Sequence, residues 1–315
     1  MKAIVMEQAG QARDLKYEEV PAPTIQENEI LVEIYAVSIN HLDMKKASGA
    51  LSSLKKEEWP WIPGHDFAGI VRKTGEMVTA FQDGEHVYGN CQGGSYAEYL
   101  AADVNKVVIK PEILSFVEAA SVPHVAETAW QAIHRHGRLQ QGQKVLIHGA
   151  AGGVGAYAVQ FARIAGAEIY ATASAKDLDF IRSLGATHVI DYKNADFTQT
   201  VQNADLVLSL VGSETEAKSY GVLKEGGRLV STVGIQHEDL ARERDITAIG
   251  MVIEQSAEDL KEITRLINEG HVKPDISVVL PLAEAAAGWE MISGKHSQPP
   301  AKHGKIVLEV RKEYL

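Results

Sequence analysis

Residues 144–167 read KVLIHGAAGGVGAYAVQFARIAGA, and this segment restricts the fold more than any other. The apolar run KVLIH has the composition of a strand buried on both faces. It leads into Gly149, Gly152, Gly153 and Gly155, and AYAVQFARIAG then opens with helical periodicity. Glycines at such a junction let the backbone turn tightly and approach a pyrophosphate, which rests on the positive N-terminus of the helix. The spacing Gly149-x-x-Gly152-x-x-Gly155 departs from G-x-G-x-x-G but serves the same physics. A ligand-free tight turn is the plain alternative, and the strand–loop–helix–strand frame argues for a dinucleotide loop instead.

The flanking pattern supplies that frame. After the loop come EIYATAS, KDLDFIRSLG, HVIDY, ADLVLSLVG and GGRLVSTVG, an alternation that predicts a parallel, doubly wound α/β sheet. Before it, KAIVM, EILVEIYAVSI, AGIVRKTG, EHVYG and SYAEYLA are short β-rich runs between Gly, Pro, Asn and Asp, as in a compact barrel or sandwich. Later, SAEDLKEITRLINEG starts on a Ser cap, sets Leu260, Ile263, Leu266 and Ile267 on one face and stops at Gly270. ISVVLPL and GKIVLEV predict two further strands that rejoin the first domain. The expected organisation is a β-barrel domain over residues 1–124, with 256–315 returning to it, and a dinucleotide-binding domain over residues 125–255. GKHSQPPAKHGK is expected to be a surface loop.

Composition narrows the partners. The net charge of −11 opposes nucleic acid or an anionic membrane as main partner. A single cysteine, Cys91, rules out an internal disulfide and a cysteine-rich zinc lobe; a small core residue is the expected role. The N-terminal segment lacks an apolar signal-peptide core, and no apolar run approaches the roughly 20 residues that span a bilayer. A reducing, cytoplasmic setting follows as the expectation.

The strand after the glycine loop bears on the cofactor. NAD sites carry an Asp or Glu about 20 residues after the glycines to accept from the ribose 2'-hydroxyl. Here ATASAKD offers Thr172, Ala173 and Ser174, then Lys176. A hydroxyl and an ammonium suit a 2'-phosphate, so the reading favours NADPH over NADH, with Asp177 dissenting unless it starts the next helix. Tyr192 is a candidate for packing on the adenosine edge. The candidate cofactor contacts are Gly149, Ala151, Gly152, Gly153, Val154, Gly155, Ser174, Lys176, Tyr192, Val233 and Gly234.

Taken together, SINHLD, IPGHDFAG, GGSYAEYL, AASVPHVAETAWQAI, VLIHGAAGGVG, ATASAKDLDFIRSLGATHVIDY, LKEGGRLVSTVG and HGKIVLEV resemble the medium-chain dehydrogenases/reductases, specifically their zinc-independent NADPH:quinone oxidoreductase-like group. The resemblance implies a GroES-like barrel domain plus a Rossmann domain, with the active site in the cleft between them, and commonly a homodimer. It implies hydride transfer from NADPH to a small-molecule acceptor, a quinone or an α,β-unsaturated carbonyl (enone).

Zinc-dependent members of the same superfamily hold the metal with a Cys, a His beside a Glu, and a second Cys. Motif by motif, those positions here carry Asn40, His65 with Asp66, and His124. His65, His124 and Asp66 are acceptable zinc ligands, whereas Asn40 is a poor one. The expectation is no metal, with His65 anchoring the turn or lining the floor of the cleft. The resemblance makes Asn40, Lys45 and Thr128 the candidate catalytic residues: Asn40 as an amide N–H beside the nicotinamide, Lys45 as a cation, Thr128 as a nicotinamide contact. Asp43 is expected to orient the loop. Trp59 and Trp61 face either acceptor or core. A zinc alcohol dehydrogenase using His65, His124 and Asp66, and a non-catalytic NADPH-binding protein, are the alternative functions.

Overall fold

The computed structural model describes residues 1–50, 59–297 and 303–313. The chain divides into two compact units, residues 1–124 with 255–315 and residues 125–254. The middle of the predicted loop GKHSQPPAKHGK, residues 298–302, lies outside the described residues.

The first unit carries strands β1 (Lys2–Val5), β2 (Lys16–Glu19) and β3 (Glu29–Ser38), then helix α1 (His41–Ala47). Strands β4 (Asp66–Thr74), β5 (His86–Asn90), β6 (Tyr99–Asp103) and β7 (Val107–Ile109) follow, with α2 (Phe116–Ala120) and the start of α3 (Pro123–Trp130). Every second residue of β3 from Ile30 to Ala36 is buried, the period of a strand with one face in a core. Trp61, Phe67, Tyr96 and Trp289 pack into that core with Ile4, Met6 and Ile34, and Trp59 packs against it. Both tryptophans of the WPW segment therefore belong to the core.

The second unit runs β8 (Lys144–Ile147), α4 (Gly153–Ile164), β9 (Glu168–Ala173), α5 (Leu178–Leu184), β10 (His188–Asp191), β11 (Ala204–Ser209), α6 (Ser213–Ser219), β12 (Leu223–Ser231), α7 (Glu238–Glu243) and β13 (Thr247–Gly250). All six strands are parallel, in the order β10-β9-β8-β11-β12-β13. Counted from β8 this is the 3-2-1-4-5-6 order of dinucleotide-binding sheets, whose strand order reverses between β8 and β11. Val145, Leu146, Ile147, Val207 and Leu208 are fully buried, as a sheet covered on both faces requires.

The chain then returns to the first unit through α8 (Ala257–Asn268), β14 (Ile276–Pro281), α9 (Ala285–Ile292) and β15 (Lys305–Glu309). The side chain of Ser256 caps α8 by accepting from the Asp259 N–H, and Leu260, Ile263, Leu266 and Ile267 are its buried face. β15 pairs antiparallel with β3, matching Ser38 to Val307, and parallel with β14. That pairing brings Lys305, at the start of β15, beside the end of β3.

Candidate active site

The glycine loop follows β8, at the carboxyl end of the sheet beside the strand-order reversal. Gly152 caps α4 in an extended conformation, leaving the first-turn N–H groups of a twelve-residue helix to face a ligand. Gly155 is buried on this helix, and a Cβ there would lie 2.3 Å from the Gly149 carbonyl oxygen and 2.7 Å from the Ala150 Cα. Only a hydrogen fits, so this glycine lets the first turn of α4 pack against the loop that leaves β8. Ala151, Gly153 and Val154 are partly exposed along the rest of the loop.

The other candidate contacts sit at the carboxyl ends of neighbouring strands: Ser174 and Lys176 after β9, Tyr192 after β10, Val233 and Gly234 after β12. Parallel register brings them to one edge of the sheet. Lys176 is exposed, Tyr192 is 57% exposed and Val233 39% exposed. Ser174 is turned towards the protein, donating its hydroxyl to Asp177 at 2.5 Å, while Asp177 is buried at the start of α5. A loop of small residues at a helix N-terminus, flanked by an exposed lysine and ring, fits a phosphorylated dinucleotide.

The second set of candidate residues lies in the first unit, around the turn IPGHD. Gly64 has φ +98°, and a Cβ there would fall 2.2 Å from the Ser95 Oγ and 2.3 Å from the Tyr96 ring. The turn therefore carries glycine and seats His65 fully inside. Asp43 accepts from His65 Nδ1 in a short bond, from the Tyr96 hydroxyl at 2.9 Å and from the Asn40 backbone N–H at 2.8 Å. Burial alone would raise the Asp43 carboxyl; the His65, Asn40 and Tyr96 donors outweigh it and hold Asp43 below its ordinary value. Trp289 Nε1 donates to the Tyr96 hydroxyl at 3.3 Å.

Asp66, beside His65, accepts at Oδ2 from the Ser38 hydroxyl at 2.6 Å and from Asn40 Nδ2 at 2.8 Å, and at Oδ1 from the His124 backbone N–H at 2.8 Å. The ammonium of Lys305 lies 3.7 Å from the same Oδ2. It donates to Asn40 Oδ1 at 2.5 Å and to the Ile39 carbonyl at 2.7 Å. Burial depresses the Lys305 ammonium and the carboxylates of Asp66 and Asp43 oppose that. The His124 ring, 6.3 Å from that of His65 between centroids, is pushed down to about 4, chiefly by burial, and so is neutral at physiological pH. The Cys91 thiol donates to the Gly64 and His65 carbonyls and is pushed up to about 12 by burial, which makes it an inert core residue.

Relatives identify the architecture. A family model described as "Alcohol dehydrogenase GroES-like domain" matches residues 26–112, and one described as "Zinc-binding dehydrogenase" matches residues 184–308. The 2-methylene-furan-3-one reductase of Solanum lycopersicum is 34% identical, covering 88% of this chain and 71% of the relative. The NADPH-dependent alkenal/one oxidoreductase (chloroplastic) of Arabidopsis thaliana is 31% identical, covering 98% and 79%. The solved structure of the quinone oxidoreductase from Coxiella burnetii superposes with a TM-score of 0.91 at 33% identity, covering 99% of each chain. The chain belongs to the medium-chain dehydrogenase/reductase superfamily.

As a medium-chain dehydrogenase/reductase it has the GroES-like barrel and Rossmann sheet. Thr128 is buried on α3, four residues after His124, and Lys45 is exposed in the last turn of α1. Sequence reasoning singled out Asn40, His65, Asp66 and His124 but overlooked Lys305, Tyr96 and Ser38, which complete their hydrogen bonds. One signal was available: Lys305 leads directly into the apolar run IVL of GKIVLEV, and a lysine buried there needs a partner.

Proposed function

We propose that this medium-chain dehydrogenase/reductase uses NADPH to reduce a quinone or an α,β-unsaturated carbonyl without zinc. The observation that carries this reading is the Asn40–Asp66–Lys305 set. Each Asp66 oxygen already accepts hydrogen bonds, and Asn40 Oδ1 faces an ammonium. Among the described residues no group of three or more His, Cys, Asp or Glu could hold a metal. That donor set does not fit a catalytic zinc, which takes three protein ligands, and no step is routed through one.

The glycine loop of residues 149–155 would hold NADPH, with Lys176 towards its 2'-phosphate, and the bound nucleotide would supply a hydride. As hydride reaches the electron-poor carbon of the acceptor, negative charge collects on its carbonyl oxygen. An Asn40 Nδ2–H would stabilise that charge. Thr128 would contact the nicotinamide, Lys45 would be a further cation towards the acceptor, and water would supply the final proton.

The deciding experiment follows NADPH oxidation across a panel of quinones, enals and enones, with and without chelator. Turnover that survives chelation is the expected result. Absence of turnover with every acceptor would instead favour a non-catalytic NADPH-binding protein. Chelator-sensitive activity with stoichiometric zinc would restore the alcohol-dehydrogenase alternative.

Two coarser features belong to the same reading. β13 ends the parallel sheet, with its outer edge unpaired among the described residues, and such an edge accepts a second strand; a homodimer is proposed, to be read by light scattering. No helix among the described residues is long and apolar enough to cross a membrane. A reducing, cytoplasmic location is proposed from the single, buried and unpaired cysteine.

A further inference from the structure

We propose that Lys305 is a positioning residue of the reduction, setting which end of the Asn40 amide is offered to the acceptor; this rests on the reading of Asn40 as the donor to the acceptor's oxygen.

The two ends of an amide side chain differ only in hydrogen bonding, so neighbours must decide which way it points. Asn40 has a decisive pair. Its Oδ1 meets the Lys305 ammonium at 2.5 Å, and its Nδ2 meets the Asp66 carboxylate at 2.8 Å. Turned over, the amide would set N–H groups against an ammonium and its oxygen against a carboxylate, both repulsive. Among the described residues the second Nδ2–H has no acceptor, and it is the hydrogen available to an outside oxygen. An ammonium on Oδ1 also withdraws electron density from the amide and strengthens that N–H as a donor.

Lys305 is committed to partners within the protein. Its ammonium donates to the Ile39 carbonyl at 2.7 Å and to Asn40 Oδ1 and pairs with the Asp66 carboxylate at 3.7 Å, and the residue is 6% exposed. It acts through Asn40. The fixed ammonium also balances Asp66 in the same buried cluster, a role a bound cation would otherwise take.

The test compares wild type, Asn40→Ala, Lys305→Met and the double variant. Three quantities are read: kcat with a quinone at saturating NADPH, NADPH affinity by nucleotide fluorescence, and the Asn40 side-chain amide signal in protein labelled with nitrogen-15 asparagine. Each single variant is expected to lose about 10- to 100-fold in kcat, with NADPH affinity held within about twofold. The double variant is expected to be no slower than Asn40→Ala, because both changes remove one and the same N–H. In Lys305→Met the amide signal is expected to shift. Losses that multiply in the double variant overturn the proposal, as does full kcat in Lys305→Met beside an impaired Asn40→Ala. Full kcat in Asn40→Ala overturns the reading of Asn40, and the proposal with it. Should Lys305→Met not fold, Lys305→Gln takes its place, with a smaller loss expected; unchanged kcat and an unchanged amide signal there are the overturning result. If wild type turns over no acceptor, the functional reading has failed, while the amide signal still tests whether Lys305 sets the Asn40 polarity.

Discussion

Ser174 donates its hydroxyl to Asp177 across 2.5 Å, and the two groups at the end of β9 are thereby committed to one another. The carboxylate that would suit a ribose 2'-hydroxyl is turned inward and buried, and Lys176, between them in sequence, remains exposed.

Lys176→Ala is accordingly expected to weaken NADPH about tenfold, the scale of one charge-assisted contact to phosphate, and to leave NADH nearly unchanged. Dissociation constants for both nucleotides, measured by fluorescence, check this. Equal weakening of the two would remove Lys176 from phosphate recognition.

Gly155→Ala is expected to disturb the contact between α4 and the glycine loop, because the added methyl meets backbone at 2.3 Å and 2.7 Å rather than a side chain able to move. A cost of about 1–3 kcal/mol and loss of NADPH binding are expected, from denaturant melts and nucleotide titration. A variant that melts and binds like wild type would show that the loop backbone can yield.

Tyr96→Phe removes the hydroxyl that donates to buried Asp43 and accepts from Trp289. Leaving a buried carboxylate one donor short should lower stability by about 1.5–3 kcal/mol. The urea midpoint at neutral pH measures it, and an unchanged midpoint would show that other donors compensate.

His148 is 1% exposed, bonded through its two ring nitrogens to the hydroxyls of Thr172 and Ser219, and packed edge-on against Phe197. Burial lowers it from 6.5 to about 4. A base depressed in the folded state is protonated first in the unfolded chain, so its contribution is complete above pH 6.5 and lost as pH falls from there towards 4. Wild type should lose up to about 1.4 kcal/mol per pH unit from this residue in that window. His148→Asn should show a flatter profile in urea titrations at several pH values; parallel profiles would assign the acid sensitivity elsewhere.

Much of the architecture was legible because it rests on local rules. KVLIH, EIYATAS and ADLVLSLVG are apolar enough to be strands covered on both faces, and they became β8, β9 and β11. The Ser256 cap and the spacing of Leu260, Ile263, Leu266 and Ile267 marked α8. Short elements without such patterns, β2, β7 and β13 among them, escaped notice, since pairing rather than composition makes them strands. WPWIPGHDFAG suggested half a metal site, and nothing local could say what the other half was.

By itself the sequence determined the two kinds of sheet, the glycine loop and the superfamily, all carried by short-range patterns of apolar period and glycine placement. Tertiary structure alone decided the chemistry around Asn40. Its amide is oriented by Asp66 and Lys305, 26 and 265 residues away, and such partners meet only because β15 pairs with β3 and β3 with β4. A buried polar group must find its partners wherever the fold places them.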